Sequence, residues 1–166
     1  MYSFFIENNL ISNNQSGFRP GDSTINQLLA ITTEIYNSFE THNETRALFL
    51  DMSKAFDKVW HEGLISKLKQ NGINGLLLKS LENYLSNRKQ SVVLNGLESP
   101  WESIYSGVPQ GSVLGPLMFL IYINDLTDNI SENIKLFADD SSLFITVTNV
   151  DLAQQTLMKD LDIISN

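Results

Sequence analysis

The sequence predicts an α+β fold, a small antiparallel sheet with helices packed on one face. Three observations predict it. Helical and strand-like patterns follow one another as helix, strand, helix pair, strand pair, buried helix, hairpin and helix. Two apolar runs, Ile134-Lys135-Leu136-Phe137-Ala138 and Leu143-Phe144-Ile145-Thr146-Val147, flank the acidic pair Asp139-Asp140 and read as that hairpin. The stretch from Pro116 to about Leu126 is apolar nearly all round, which marks a helix buried deep in a core.

Each element has its own signal. Phe4 to Leu10 reads as the end of a helix closed by Asn8-Asn9, and Ser12 to Gly21 as a polar loop. Asp22-Ser23-Thr24 offers an N-cap. Ile25, Leu28, Leu29, Ile35, Tyr36 and Phe39 then recur at helical spacing to about Thr41. After the break at His42-Asn43-Glu44, Ala47-Leu48-Phe49-Leu50 is a continuous apolar run, expected to be a strand buried on both faces and ending at Asp51. Trp60 to Gln70 reads as a helix with Leu64, Ile65 and Leu68 on one face, stopped at Asn71-Gly72 because Gly takes the residue after a helix end readily. Leu77, Leu81, Tyr84 and Leu85 mark the next helix. Ser91 to Asn95 is expected to be a strand with a turn at Gly96, and Trp101 to Tyr105 its partner. Pro116 suits the first turn of the buried helix. An amphipathic helix from Asp151 to about Ile164 closes the chain.

The bulk numbers exclude several classes. The chain has 166 residues and is 42% hydrophobic, enough for one compact domain and too apolar for disorder. It has no cysteine, hence no disulfide and no thiolate metal site. The start, Met1-Tyr2-Ser3-Phe4-Phe5-Ile6-Glu7, lacks the basic and apolar regions of a signal peptide, so an intracellular location is expected. The longest apolar run, Leu117 to Ile123, is too short to cross a bilayer, and no membrane partner is expected. Net charge is −8, from 11 basic and 19 acidic residues. Phosphate binding needs Lys and Arg, so any main phosphate grip lies outside this segment. His42 and His61 have no metal-ligand spacing and read as structural or exposed.

Three segments carry chemistry, and each has a plain structural reading beside the functional one. Asp139-Asp140 is a turn former or a ligand for a hard divalent cation. Asp51, at the end of a strand expected to be buried, is an N-cap, half of a salt bridge, or a metal ligand, since a lone buried carboxylate is costly. Gly107-Val108-Pro109-Gln110-Gly111-Ser112, taken alone, reads as an ordinary turn before the buried helix.

Together the segments resemble the palm motifs of reverse transcriptases, and most closely those of the jockey-like non-LTR retrotransposons. Phe49-Leu50-Asp51 through Lys54-Ala55-Phe56-Asp57 resembles motif A. Ser106-Gly107-Val108-Pro109-Gln110-Gly111-Ser112 through Leu114-Gly115-Pro116 resembles motif B. Phe137-Ala138-Asp139-Asp140 resembles motif C. Gln15-Ser16-Gly17-Phe18-Arg19-Pro20-Gly21, followed by Ser23-Thr24, resembles the segment before motif A, and Tyr122-Ile123-Asn124-Asp125-Leu126 is also typical. The likeness covers nearly the whole chain in the right order.

The resemblance implies a palm-like fold plus part of the fingers, and RNA-directed DNA polymerase activity. It implies Mg²⁺, with Mn²⁺ as a substitute, a dNTP, a DNA primer and an RNA template. Asp51, Asp139 and Asp140 are the catalytic acids by this likeness. Asp51 and Asp139 would be metal ligands proper, Asp140 the supporting acid, and the Met52 carbonyl a further ligand. Phe56 matches the ring under the incoming sugar that excludes a 2′-hydroxyl. Gln110 matches the residue touching the incoming nucleotide, with Gly111 letting backbone approach closely. Asp57 and Lys54 are expected to shape the turn after Asp51, and Arg19 to be structural. Residues 1–166 then read as one partial domain: 1–45 fingers-side helices, 46–58 motif A, 106–126 motif B, 134–147 the motif C hairpin and 150–166 the following helix. By the same likeness, fingers upstream and a thumb downstream lie outside the chain and are expected to be needed. The rival expectations are a non-catalytic, degenerate fragment that acts only as a binding or structural module, and a different metal-dependent phosphotransferase.

Overall fold

The structure, a computed structural model, describes residues 1–148 and 150–165. In chain order the elements are α1 (Tyr2–Glu7), α2 (Thr24–Glu40), β1 (Glu44–Asp51), α3 (His61–Gln70) and α4 (Gly75–Leu85). Then come β2 (Arg88–Gln90), β3 (Val93–Leu94), β4 (Leu97–Glu98), β5 (Glu102–Ile104) and α5 (Leu114–Ile123). The chain ends with β6 (Asn133–Phe137), β7 (Asp140–Val147) and α6 (Val150–Ser165). Asn166, the end of the expected range 150–166, lies outside the described residues. Two compact units form: Met1, Ser3–Ser53 and Asn124–Asn166 make the first, Tyr2 and Lys54–Ile123 the second.

The first unit is built on an antiparallel sheet in the order β1-β7-β6. Alternation sends Leu48, Leu50, Leu143, Leu136 and Ile134 to one face, where Leu126, Ile130, Leu157 and Ile164 pack against them. Burying each such aliphatic side chain is worth about 1.5–3 kcal/mol, so this face anchors α6. The other face carries Phe49, whose ring meets Phe144 edge-on at 6.0 Å. A cavity of 510 Å³ separates Phe49, Phe137 and Ser142 from Gln27, Leu28 and Ile31 of α2. Ser23 caps α2 by accepting from the Asn26 N–H at 3.3 Å, as the Asp22-Ser23-Thr24 signal indicates.

The expectation for β1 needs correction. Its residues alternate between exposed and half-buried, and it starts at Glu44 rather than Ala47. The strand covered on both faces is β7, where Ser141 through Ile145 are all buried. The reason is position: β7 is central and β1 is at an edge. A short apolar run does not tell these apart.

The opposite edge, β6, is covered by the loop 14–17. Leu136 donates its N–H to the Asn14 carbonyl at 2.8 Å and accepts from the Ser16 N–H at 2.9 Å. This loop forms a parallel bridge, Gln15 to Leu136, and hides an edge that would otherwise offer unpaired backbone groups.

The second unit packs α3 against α4 and α5. Leu64 and Leu68 of α3, Leu78, Leu81 and Leu85 of α4, and Leu117 through Ile121 of α5 are buried. Gly72 follows the end of α3 with φ +86, the left-handed conformation Gly adopts at least cost. At the end of α5 the Lys67 ammonium donates to the Tyr122 carbonyl and lies 4.9 Å from the Tyr122 ring centroid. A cation there also suits the negative end of the helix dipole.

The strand pair differs from expectation in its partners. Glu102–Ile104 pairs with Arg88–Gln90, while Val93–Leu94 turns back on Leu97–Glu98. Asn95 and Gly96 both have positive φ, the signature of a tight two-residue hairpin. That turn uses up the strand expected to reach residues 101–105.

Candidate active site

Asp51 of motif A and Asp139 and Asp140 of motif C lie in the first unit. Asp51 is the last residue of β1, and Asp140 is the first of β7. The register makes them directly opposed Cα partners, so both side chains project from the same face of the sheet. Both are exposed, and Asp139 is half-buried in the turn before them. The expected burial of Asp51 is therefore corrected, because edge strand β1 ends at the surface. Met52, half-buried, is the next residue along the chain.

Carboxylates are the hard oxygen donors that Mg²⁺ or Mn²⁺ takes. Two placed across a strand pair repel one another unless a cation or protons intervene. In that chemical sense the residues fit a divalent ion. Among the described residues, no three Asp, Glu, His or Cys side chains gather closely enough to hold a metal as they stand.

The turn that presents Asp139 is unusual. Phe137 pairs with Asp140, so the hairpin connection is only Ala138 and Asp139. Ala138 has φ +56, at a place where such turns usually have Gly. Its peptide is held by Gln15, itself only 2% exposed. Gln15 Oε1 accepts from the Ala138 N–H at 2.9 Å and from the Gly17 N–H at 2.7 Å. Gln15 Nε2 donates to the Ala138 carbonyl at 3.3 Å. Gly17 is required here, since a Cβ would come within 2.1 Å of the Ala138 nitrogen.

The expected nucleotide-contacting residues lie in the second unit. Phe56 sits in a 3₁₀ turn, Phe56–Lys58, with its ring stacked on Phe119 of α5 at 4.3 Å and 17°. Its backbone carbonyl accepts from the Val108 N–H at 2.8 Å, which ties the end of motif A to the motif B loop. Gln110 is exposed, and its Nε2 donates to Asp57 Oδ1 at 3.1 Å. Asp57 thus meets Gln110 through its side chain, while its backbone N–H donates to the Lys54 carbonyl at 3.0 Å. Lys54, Asp57, Arg88, Gln90 and Gln110 line a polar cleft of 620 Å³.

The two glycines of the motif B loop have different surroundings. Gly111 has φ +75, and among the described residues nothing beyond its chain neighbours lies within 4 Å of its missing Cβ. Gly107 is where backbones come together, because a Cβ there would meet the Asp57 Cα and carbonyl oxygen at 2.8 Å. His61 bonds the Gly107 carbonyl oxygen at 2.8 Å.

Gln15, Phe119 and the side-chain contact of Asp57 are not singled out by the sequence. The first lies inside a quoted motif, the second in an apolar helix, and neither residue type announces its partner. The family described as Reverse transcriptase (RNA-dependent DNA polymerase) matches residues 2–164.

The chain belongs to the reverse transcriptase family.

Among curated relatives, the probable RNA-directed DNA polymerase from transposon BS of Drosophila melanogaster is 39% identical over 120 residues, 72% of this chain and 13% of that protein. The RNA-directed DNA polymerase from mobile element jockey of Drosophila funebris is 33% identical over 156 residues, 89% of this chain and 17% of that protein. The chain therefore spans less than a fifth of these relatives. Among solved structures, apo telomerase from Candida tropicalis, truncated from its C-terminal domain, covers 99% of this chain with TM-score 0.64 and 16% identity. This chain covers 36% of that one, and the likeness is one of fold. The reverse transcriptase α+β architecture and the jockey-like assignment are both borne out. No helix among the described residues is long and apolar enough to cross a membrane.

Proposed function

We propose that this chain carries the palm core of an RNA-directed DNA polymerase, which adds a deoxynucleotide to a primer 3′-hydroxyl on an RNA template. The observation that carries the reading is the direct opposition of Asp51 and Asp140 at the end of the sheet, with Asp139 in the adjoining turn. In a chain of this family, attack of the primer 3′-oxygen on the dNTP α-phosphate would occur at that acidic end, breaking the bond to the β-phosphate and releasing pyrophosphate. Asp51, Asp139 and Asp140, with the Met52 carbonyl, would hold the divalent ions. Bound Mg²⁺ or Mn²⁺ supplies positive charge for the entering and leaving oxygens. Phe56, backed by Phe119, supplies a flat apolar wall for the sugar. Gln110, held by Asp57, supplies an amide for the nucleotide, and Gly111 leaves open space beside it.

The test is primer extension on poly(rA)·oligo(dT) with dTTP and Mn²⁺. The chain is assayed alone and grafted in place of its counterpart in a jockey polymerase. Extension by the wild-type sequence and none by Asp139→Asn is expected in the graft. An inert graft beside an active parent would overturn the proposal, and so would extension that survives Asp139→Asn.

A further inference from the structure

The turn that carries Asp139 contains an internal tension. A two-residue connection forces positive φ on Ala138, and an alanine there is strained because its Cβ crowds the backbone. Strain of this kind persists only where surroundings over-determine it. Gln15 is the surrounding group that does so. Its buried amide bonds both polar groups of the Ala138 residue, accepting from the N–H and donating to the carbonyl. The orientation of that amide is fixed by the network, since the Ala138 and Gly17 N–H donors both require an oxygen at the same position. Gln15 itself has little freedom. Its neighbours Asn14 and Ser16 are hydrogen-bonded to Leu136 of β6, and Gly17 lies against Ala138.

We propose that Gln15 is a positioning residue for the motif C turn. It holds the Ala138 peptide in its strained conformation and so fixes where Asp139 is presented. The inference rests on the reading of Asp139 as a metal ligand. Groups that hold a ligand in place, without touching the metal, typically change metal affinity 10–100-fold when removed. A turn that served only to connect two strands would give no such effect, because the exposed Asp51 and Asp140 would bind as before.

The experiment uses the chain as it stands and reads Mn²⁺ affinity from the paramagnetic signal of the free ion. Gln15→Met keeps the bulk and removes every hydrogen bond of the amide. It is expected to weaken Mn²⁺ binding about tenfold or more, at a temperature where circular dichroism shows it folded. Asp139→Asn is measured beside it. If Asp139→Asn binds Mn²⁺ like wild type, the metal-site reading fails. If Asp139→Asn loses binding while Gln15→Met keeps wild-type affinity, the positioning role alone is overturned. A second measurement does not depend on any variant folding. The Ala138 amide hydrogen, bonded to a buried oxygen, should exchange with solvent far more slowly than an open turn amide. Fast exchange at Ala138 in the wild-type chain would also overturn the proposal.

Discussion

The sugar-excluding role proposed for Phe56 needs a ring that does not yield, and its stacking on Phe119 supplies a support. Offset or parallel aromatic contacts of this kind add about 0.5–1.5 kcal/mol beyond simple burial. Phe56→Ala in an extending polymerase is expected to raise ribonucleotide incorporation relative to deoxynucleotide by about tenfold or more. Phe119→Leu, which removes the support but leaves the ring, should raise it by a smaller factor. Unchanged sugar selectivity in Phe56→Ala would remove the gate from the mechanism. At the acidic end, Asp140 faces Asp51 across one strand pair, and like charges so placed are unfavourable. Asp140→Asn should therefore raise the metal-free melting temperature by about 1–3 °C, read by differential scanning fluorimetry in EDTA. A lower melting temperature would mean that Asp140 makes a contact worth more than the repulsion it suffers.

Where α6 meets the segment leading into β6, a second acidic arrangement controls an element boundary. Asp160 is fully buried and accepts from the Ser131 and Glu132 N–H groups at 3.1 and 3.2 Å. Burial pushes the Glu132 carboxyl above its ordinary range, and the nearby charges of Asp160 and Glu34 add to the rise. A raised folded value means that the stability is present in full below the unfolded value and is lost as pH rises through the folded one. Ionised Glu132 is thus unfavourable near pH 7. Glu132→Gln is expected to melt about 1–2 °C higher at neutral pH, with the gain vanishing below the ordinary Glu range. An equal gain at both ends of a pH series would show that charge is not the cause. This boundary also shows where sequence reading reaches its end. Helix positions, the Ser23 cap, the Gly72 stop and the acidic hairpin all follow from local signals. The pairing of Arg88–Gln90 with Glu102–Ile104 does not, because a nearer hairpin competes for the same segment. Gln15 was beyond reach for a similar reason: its partner Ala138 is 123 residues away, and no periodicity links an amide to a distant turn.

Across the whole chain, charge is the property that local contacts do not balance. Acidic residues outnumber basic ones by 19 to 11. Ion pairs such as Arg46–Glu44 at 2.6 Å and Lys69–Glu82 at 3.5 Å are exposed, and exposed pairs are worth little. Self-repulsion should then outweigh the pairs, since a net charge far from zero destabilises the compact state. Raising NaCl from about 10 mM to about 150 mM shortens the screening length from about 30 Å to about 8 Å, which relieves repulsion between distant acids. The melting temperature is expected to rise over that range. MgCl₂ at matched ionic strength should raise it further, because an ion held by carboxylates stabilises by mass action as well as by screening. Asp139→Asn should keep the NaCl response and lose most of the extra Mg²⁺ increment. The two salts therefore separate a diffuse property of the molecule from a local one. A melting temperature that falls with NaCl would show that favourable pairs dominate the charge balance. An Mg²⁺ increment unchanged by Asp139→Asn would place the divalent ion away from the motif C turn.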